Sequence, residues 1–156
     1  MSTSQFDPAS FLFATTSETT DTISVPVPVG EYAAIVEKVA CRPWQSKDGT
    51  SNGLALDIIY IVDDAALKAS LGRDKITVKQ GIMLELTDAG ALDNGKGKNP
   101  ALGRLREAVN QNIKGQPWAP SMLEGQPLKV SVKHRVANIG GVDTPVAEVN
   151  GTLRLS

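Results

Sequence analysis

A single cysteine, a single histidine and a 4% share of aromatic side chains set the first limits on this chain of 156 residues. Cys41 on its own excludes an internal disulfide, and a lone thiol in a β-patterned stretch reads as a small buried hydrophobe rather than a nucleophile. With one histidine, His134, there is no His/Cys cluster to hold zinc, and no oxygen cage at calcium-loop spacing surrounds Asp57 or Asp63-Asp64. Ser131 lies near His134 in sequence, but residues three apart in a strand point to opposite faces and form no catalytic pair. No active site and no cofactor is expected. No apolar run reaches the roughly 18 residues that span a bilayer, and Met1-Ser2-Thr3-Ser4-Gln5 lacks the charged and apolar regions of a signal peptide, so no membrane partner is expected either.

What is present is an uneven distribution of charge. Residues 1–93 carry seven Lys/Arg against thirteen Asp/Glu, and residues 94–156 carry nine against four, so a formal net charge of -1 conceals an acidic part and a basic part. A basic C-terminal part suits an anionic partner. The change of sign falls in Gly90-Ala91-Leu92-Asp93-Asn94-Gly95-Lys96-Gly97, which fits the phosphate-cradling pattern G-x-x-x-x-G-K and then fails. Gly97 stands where Ser or Thr would ligate magnesium, and the helix is delayed to Pro100 instead of starting at the lysine. The pattern therefore points away from nucleotide hydrolysis and toward a flexible basic loop that lies along phosphates.

Residues 1–24, rich in Ser and Thr with Phe11-Leu12-Phe13 among them, read as a flexible or partner-bound N-terminal arm, and residues 25–156 as one domain. Val25-Pro26-Val27-Pro28-Val29-Gly30 is an extended, proline-stiffened lead-in to a strand over about 31–42. Ser46 to Gly53 is dense in turn formers, and 54–62 is apolar and β-branched enough for a central strand. Asp63-Asp64 caps a short helix over 65–71 that Gly72 ends. A third strand runs over about 75–86, with Lys75, Thr77 and Lys79 on one face and a bulge expected at Gly81. Asn99 and Pro100 are the N-cap and first residue of a second helix whose apolar stripe is Leu102, Leu105, Ala108 and Val109. In 128–136 the alternation is strict: Leu128, Val130, Val132 and Val136 face inward, with a hydrogen-bonded, partly buried His134 in the same phase. A turn at Asn138-Ile139-Gly140-Gly141 returns the chain over 142–155. The expected fold is mainly β with two short helices (α+β), a five-stranded antiparallel barrel of OB-like type with an extended N-terminal arm.

Single-stranded nucleic acid is held by cations that track phosphates and flat side chains that stack on bases. Arg42, Trp44 and Lys47 combine both near the first hairpin tip, and Trp118 offers a second indole. Lys96 and Lys98 sit in the glycine loop, Arg104 and Arg106 lie off the apolar stripe of the second helix, and Lys129, Lys133 and Arg135 form a row on one strand.

Val27-Pro28-Val29-Gly30-Glu31-Tyr32, Gly72-Arg73-Asp74-Lys75, the loop from Leu92 to Asn99, Leu102-Gly103-Arg104-Leu105-Arg106-Glu107-Ala108 and Val132-Lys133-His134-Arg135 occur in an order that resembles tailed-bacteriophage accessory proteins similar to small OB-fold single-stranded DNA-binding proteins. The resemblance covers about residues 25–153. It implies a non-catalytic protein that coats single-stranded DNA in phage replication or recombination, in the host cytoplasm. The chain ends Leu153-Arg154-Leu155-Ser156 without the acidic tail common in such proteins. That suits an alternative, a virion cement protein whose arm clamps capsid subunits or a second copy of itself.

Overall fold

The computed structural model describes residues 7–20 and 25–155. Of the expected arm, residues 1–6 and 21–24 lie outside the described residues, as does Ser156 at the other end. Five strands, β1 (Gly30–Gln45), β2 (Asn52–Val62), β3 (Thr77–Met83), β4 (Pro127–Ile139) and β5 (Val142–Leu153), form one antiparallel sheet in the order β3-β2-β1-β4-β5. Three α-helices accompany it where two were expected: α1 (Pro8–Leu12), α2 (Ala65–Leu71) and α3 (Pro100–Ala108). The extra helix lies in the Ser/Thr-rich N-terminal stretch. There Asp7 accepts the Ala9 N–H and Pro8 takes the first helical position, which is enough to start a single turn.

The sheet is not closed into a barrel. The edge strands β3 and β5 come within 8 Å of each other, Cα to Cα, but among the described residues no hydrogen-bonded ladder joins them. β3 has only seven residues, and β5 carries Pro145, which has no N–H to offer a ladder. What remains is a strongly curled open sheet around one apolar cluster that includes Tyr60, Leu56, Ile58, Leu105, Leu123 and Val130.

Bulges occur where the sequence did not place them. The β2–β3 register runs unbroken through Gly81, opposite Asp57, because alternation at Val78, Gln80 and Ile82 already turns the right side chains inward. The interruptions are in β1, where Glu37 is skipped between Val36 and Lys38, and in β5, where Asn150 is skipped opposite Ser131 and Val132. The β1 bulge is clamped from outside. Val36 bonds Gln126 and Gly125 through its N–H and C=O, and Val39 N–H donates to the Glu124 carboxylate. Side-chain parity reverses there: Ala34 and Val36 face the core before it, Val39 after it.

α2 follows the local rules, with Asp64 Oδ1 accepting the Leu67 N–H at 2.9 Å and Gly72 closing the helix in the left-handed region. Leu102, Leu105, Ala108 and Val109 of the expected stripe are all buried. In β4, Leu128, Val130 and Val132 are buried as expected, but Val136 is 70% exposed and His134 is exposed as well. The β1–β4 ladder stops at Gly30↔Val132, so beyond it β4 pairs with β5 alone among the described residues. His134 keeps a hydrogen bond, its Nε2 lying 2.7 Å from Val27 O. Cys41, expected to be buried, is exposed. It falls near the end of β1, past the last β1–β4 pair.

Candidate nucleic-acid interface

The bulge at Glu37 decides which way the end of β1 points. After it, Lys38, Ala40, Arg42 and Trp44 occupy the outer face, opposite Ile59, Asp57, Ala55 and Gly53 of β2. Thr77, Lys79 and Gly81 of β3 share that face. The β4–β5 hairpin curls in from the other side and brings Arg135, Val146 and Glu148 to it. The result is a groove of about 560 Å³ in which Arg42, Lys79 and Arg135 supply positive charge and Asp57 and Glu148 negative. Gly81 has no side chain to fill the floor.

Two of the three cations are tethered. Arg42 Nε donates to Asp57 Oδ2 at 2.6 Å, and Arg135 Nε lies 2.8 Å from Glu148 Oε2. All four side chains are substantially exposed. Exposed ion pairs of this kind contribute about 0–1 kcal/mol, so an incoming phosphate competes with the carboxylate on nearly even terms. The pairs hold the guanidinium groups in place without neutralising the groove, since Lys79 has no ion pair among the described residues.

The other residues read from the sequence divide by location. Lys129 and Lys133 share the outer face of β4 with Arg135, Lys133 opposite Glu148. Lys47 sits in the β1–β2 turn. Asp48 staples that turn by accepting from Ser46 Oγ, Thr50 N and Thr50 Oγ1, which lowers its pKa from 3.8 to about 2. Trp44 is half-buried against the Gly53 backbone, and its Nε1 is buried without a partner.

Lys96, Lys98, Arg104, Arg106 and Trp118 belong to a different region, around α3. The glycine loop there is tied down: Leu86 bridges Leu92, Thr87 N–H donates to Ala91 O, and Lys98 N–H donates to Gly95 O. Lys98 Nζ is 3.7 Å from Glu85 Oε1. Arg106 and Trp118 engage each other, the guanidinium carbon 4.2 Å from the ring centroid. Desolvation draws the Arg106 guanidinium below its ordinary pKa, and Trp118 Nε1 donates to Gln111 Oε1 while the ring packs on the core.

Sequence reasoning left Lys79 out of the site, although the alternation of Lys75, Thr77 and Lys79 already carried the signal. Lys114, which lines a cleft beside α3, lies in a stretch without periodicity and had no signal. Among the described residues no three His, Cys, Asp or Glu side chains are grouped to hold a metal. No protein-family model matches the chain, and no curated protein matches it.

Proposed function

We propose that this is a non-catalytic single-stranded DNA-binding protein acting in phage replication or recombination. The observation that carries the reading is the groove across β2 and β3, with Arg42, Lys79 and Arg135 converging from three strands between two long hairpins. Partly open five-stranded barrels of the OB type bind oligonucleotides on that same strand 2–3 face, between the first and last hairpins. The strand order and a helix between β3 and β4 also suit that type. The phage role rests on the resemblance of the sequence motifs.

Fluorescence anisotropy with labelled oligo-dT tests the reading. Affinity is expected to fall with salt at a log-log slope of about 0.7 for each phosphate neutralised. Reversing Arg42, Lys79 and Arg135 to Glu is expected to abolish binding. No binding by the unaltered protein at micromolar concentration and low salt ends this reading. The cement alternative is favoured by α1 and its C-cap Phe13: Phe11, Leu12 and Phe13 are 81%, 75% and 81% exposed, and no residue of α1 is buried. Many copies in purified particles, read by mass spectrometry, support it over the replication role.

A further inference from the structure

A second concavity, of about 580 Å³, opens between the glycine loop, the start of α3 and the 112–116 loop. Lys98, Arg106 and Lys114 line it, and among the described residues no carboxylate does. This differs from the sheet groove, where two carboxylates stand among three cations. On the adjoining loop Asp93 Oδ1 accepts the Gly95 N–H, and Glu85 accepts the Asn99 N–H through Oε2 while its Oε1 faces Lys98. Lys114 has no ion pair among the described residues, and Lys98 has only its 3.7 Å approach to Glu85. The amide side chains of Asn94, Asn112 and Gln116 also line the cleft. Arg106 is held in position by its stack on Trp118 and by donation from Nη2 to Gln111 O, so its charge is preorganised.

Three cations that converge on one concavity, with side-chain amides beside them, select an anion rich in acceptor oxygens. The size falls within the roughly 300–1,000 Å³ common for small-molecule sites. Beside the cations, half-buried Leu92 and exposed Ile113 add a small apolar surface against which a flat base can lie. We propose that this cleft binds a nucleotide through its phosphate, with Lys98 and Lys114 as the principal phosphate contacts. The occupant is a free mononucleotide or one unit of a strand; the phosphate ester is common to both. Lys96, the lysine of the failed G-x-x-x-x-G-K pattern, does not line the cleft, whereas Lys98, two residues on, does.

Isothermal titration at low salt with dTMP, inorganic pyrophosphate and thymidine tests the assignment independently of the sheet groove. The unaltered protein is expected to bind dTMP and pyrophosphate at roughly millimolar concentration or tighter, and thymidine not at all. Lys98→Ala with Lys114→Ala is expected to weaken dTMP binding about tenfold or more. Both side chains are at the surface, and an unchanged melting temperature checks that the variant folds. Arg42→Ala with Arg135→Ala, which weakens oligo-dT binding, is expected to keep the dTMP site. Displacement of dTMP by oligo-dT makes the occupant a unit of the strand, and simultaneous binding makes it a free nucleotide. No binding of dTMP or pyrophosphate, equal binding of thymidine, or loss in the Arg42/Arg135 variant alone overturns the assignment. Failure here leaves oligo-dT binding by the groove variants to judge the sheet face separately.

Discussion

Asn99 and Glu85 are bound to each other at three points. Asn99 Oδ1 accepts the Glu85 N–H at 2.8 Å, Asn99 Nδ2 donates to Glu85 O at 2.9 Å, and the Asn99 N–H donates to Glu85 Oε2 at 2.8 Å. Nδ2 also reaches Asp93 O, so the amide closes the whole loop before α3. Asn99 is in the left-handed region, with φ 53°, where asparagine is tolerated and alanine is strained. Asn99→Ala is expected to cost about 3 kcal/mol in urea unfolding, from lost hydrogen bonds and backbone strain together. Asn99→Gly, which keeps the backbone unstrained, should cost roughly 1 kcal/mol less. Equal losses would leave the backbone conformation no part in the effect.

The Arg42–Asp57 and Arg135–Glu148 pairs make a different prediction. Asp57→Asn combined with Glu148→Gln releases two guanidinium groups into the groove and removes two repelling charges. Oligo-dT affinity is expected to rise roughly fivefold, while stability changes by less than about 1 kcal/mol because both pairs are exposed. Unchanged or weaker affinity would take the groove off the path of the phosphates.

Tyr60 donates its hydroxyl to Gln80 Oε1 at 2.6 Å within the core. Burial raises the phenol pKa above its usual range. The unfolded chain releases this proton near pH 10 and the folded one holds it, so the stabilisation is complete below about pH 10 and declines as pH rises further. Tyr60→Phe is expected to cost about 1–3 kcal/mol near neutrality, because Gln80 is left buried without its donor. It should also flatten the alkaline loss. Tyr32, raised by desolvation and then by Asp64, leaves a remainder. Urea midpoints across the alkaline range, for both proteins, give the answer.

Asp48 reports on the hairpin tip that carries Lys47. Its pKa is depressed from 3.8 to about 2, first by the Ser46 hydroxyl and then by the Thr50 N–H and hydroxyl. A depressed carboxylate stabilises the folded turn above its ordinary pKa. That contribution is lost as pH falls from about 4 through about 2. Carboxyl NMR titration should place the midpoint at about 2, and Ser46→Ala should move it upward. An ordinary midpoint would mean that the turn is not closed in this way.

What was legible in the chain was local. Asp64 and Gly72 bound α2 because a side-chain cap and a left-handed closure need only their own neighbours. Leu102, Leu105, Ala108 and Val109 identify the buried face of α3 by spacing, and Leu128, Val130 and Val132 identify that of β4 by alternation. Legibility ended where a partner distant in sequence took over. Asn99 stands at the N-cap as expected, but its amide serves Glu85 and Asp93 and makes no helix-capping bond. Arg106 lies off the apolar stripe as expected, yet Trp118 covers it.

Sequence pattern alone determined where the five strands lie and most of the cations that are candidates for an anionic partner, Lys79 and Lys114 excepted. It did not determine the face on which Arg42 and Trp44 stand. Even-numbered parity from Ala34 and Val36 would have carried both toward the core. The bulge at Glu37, clamped by Gln126, Gly125 and Glu124 and tied to Lys75 through a 2.6 Å ion pair, turns them outward. Those partners lie 38 residues or more along the chain from Glu37, so only the folded backbone brings them to the bulge. One skipped residue reverses every side chain after it, because the period of a strand is two.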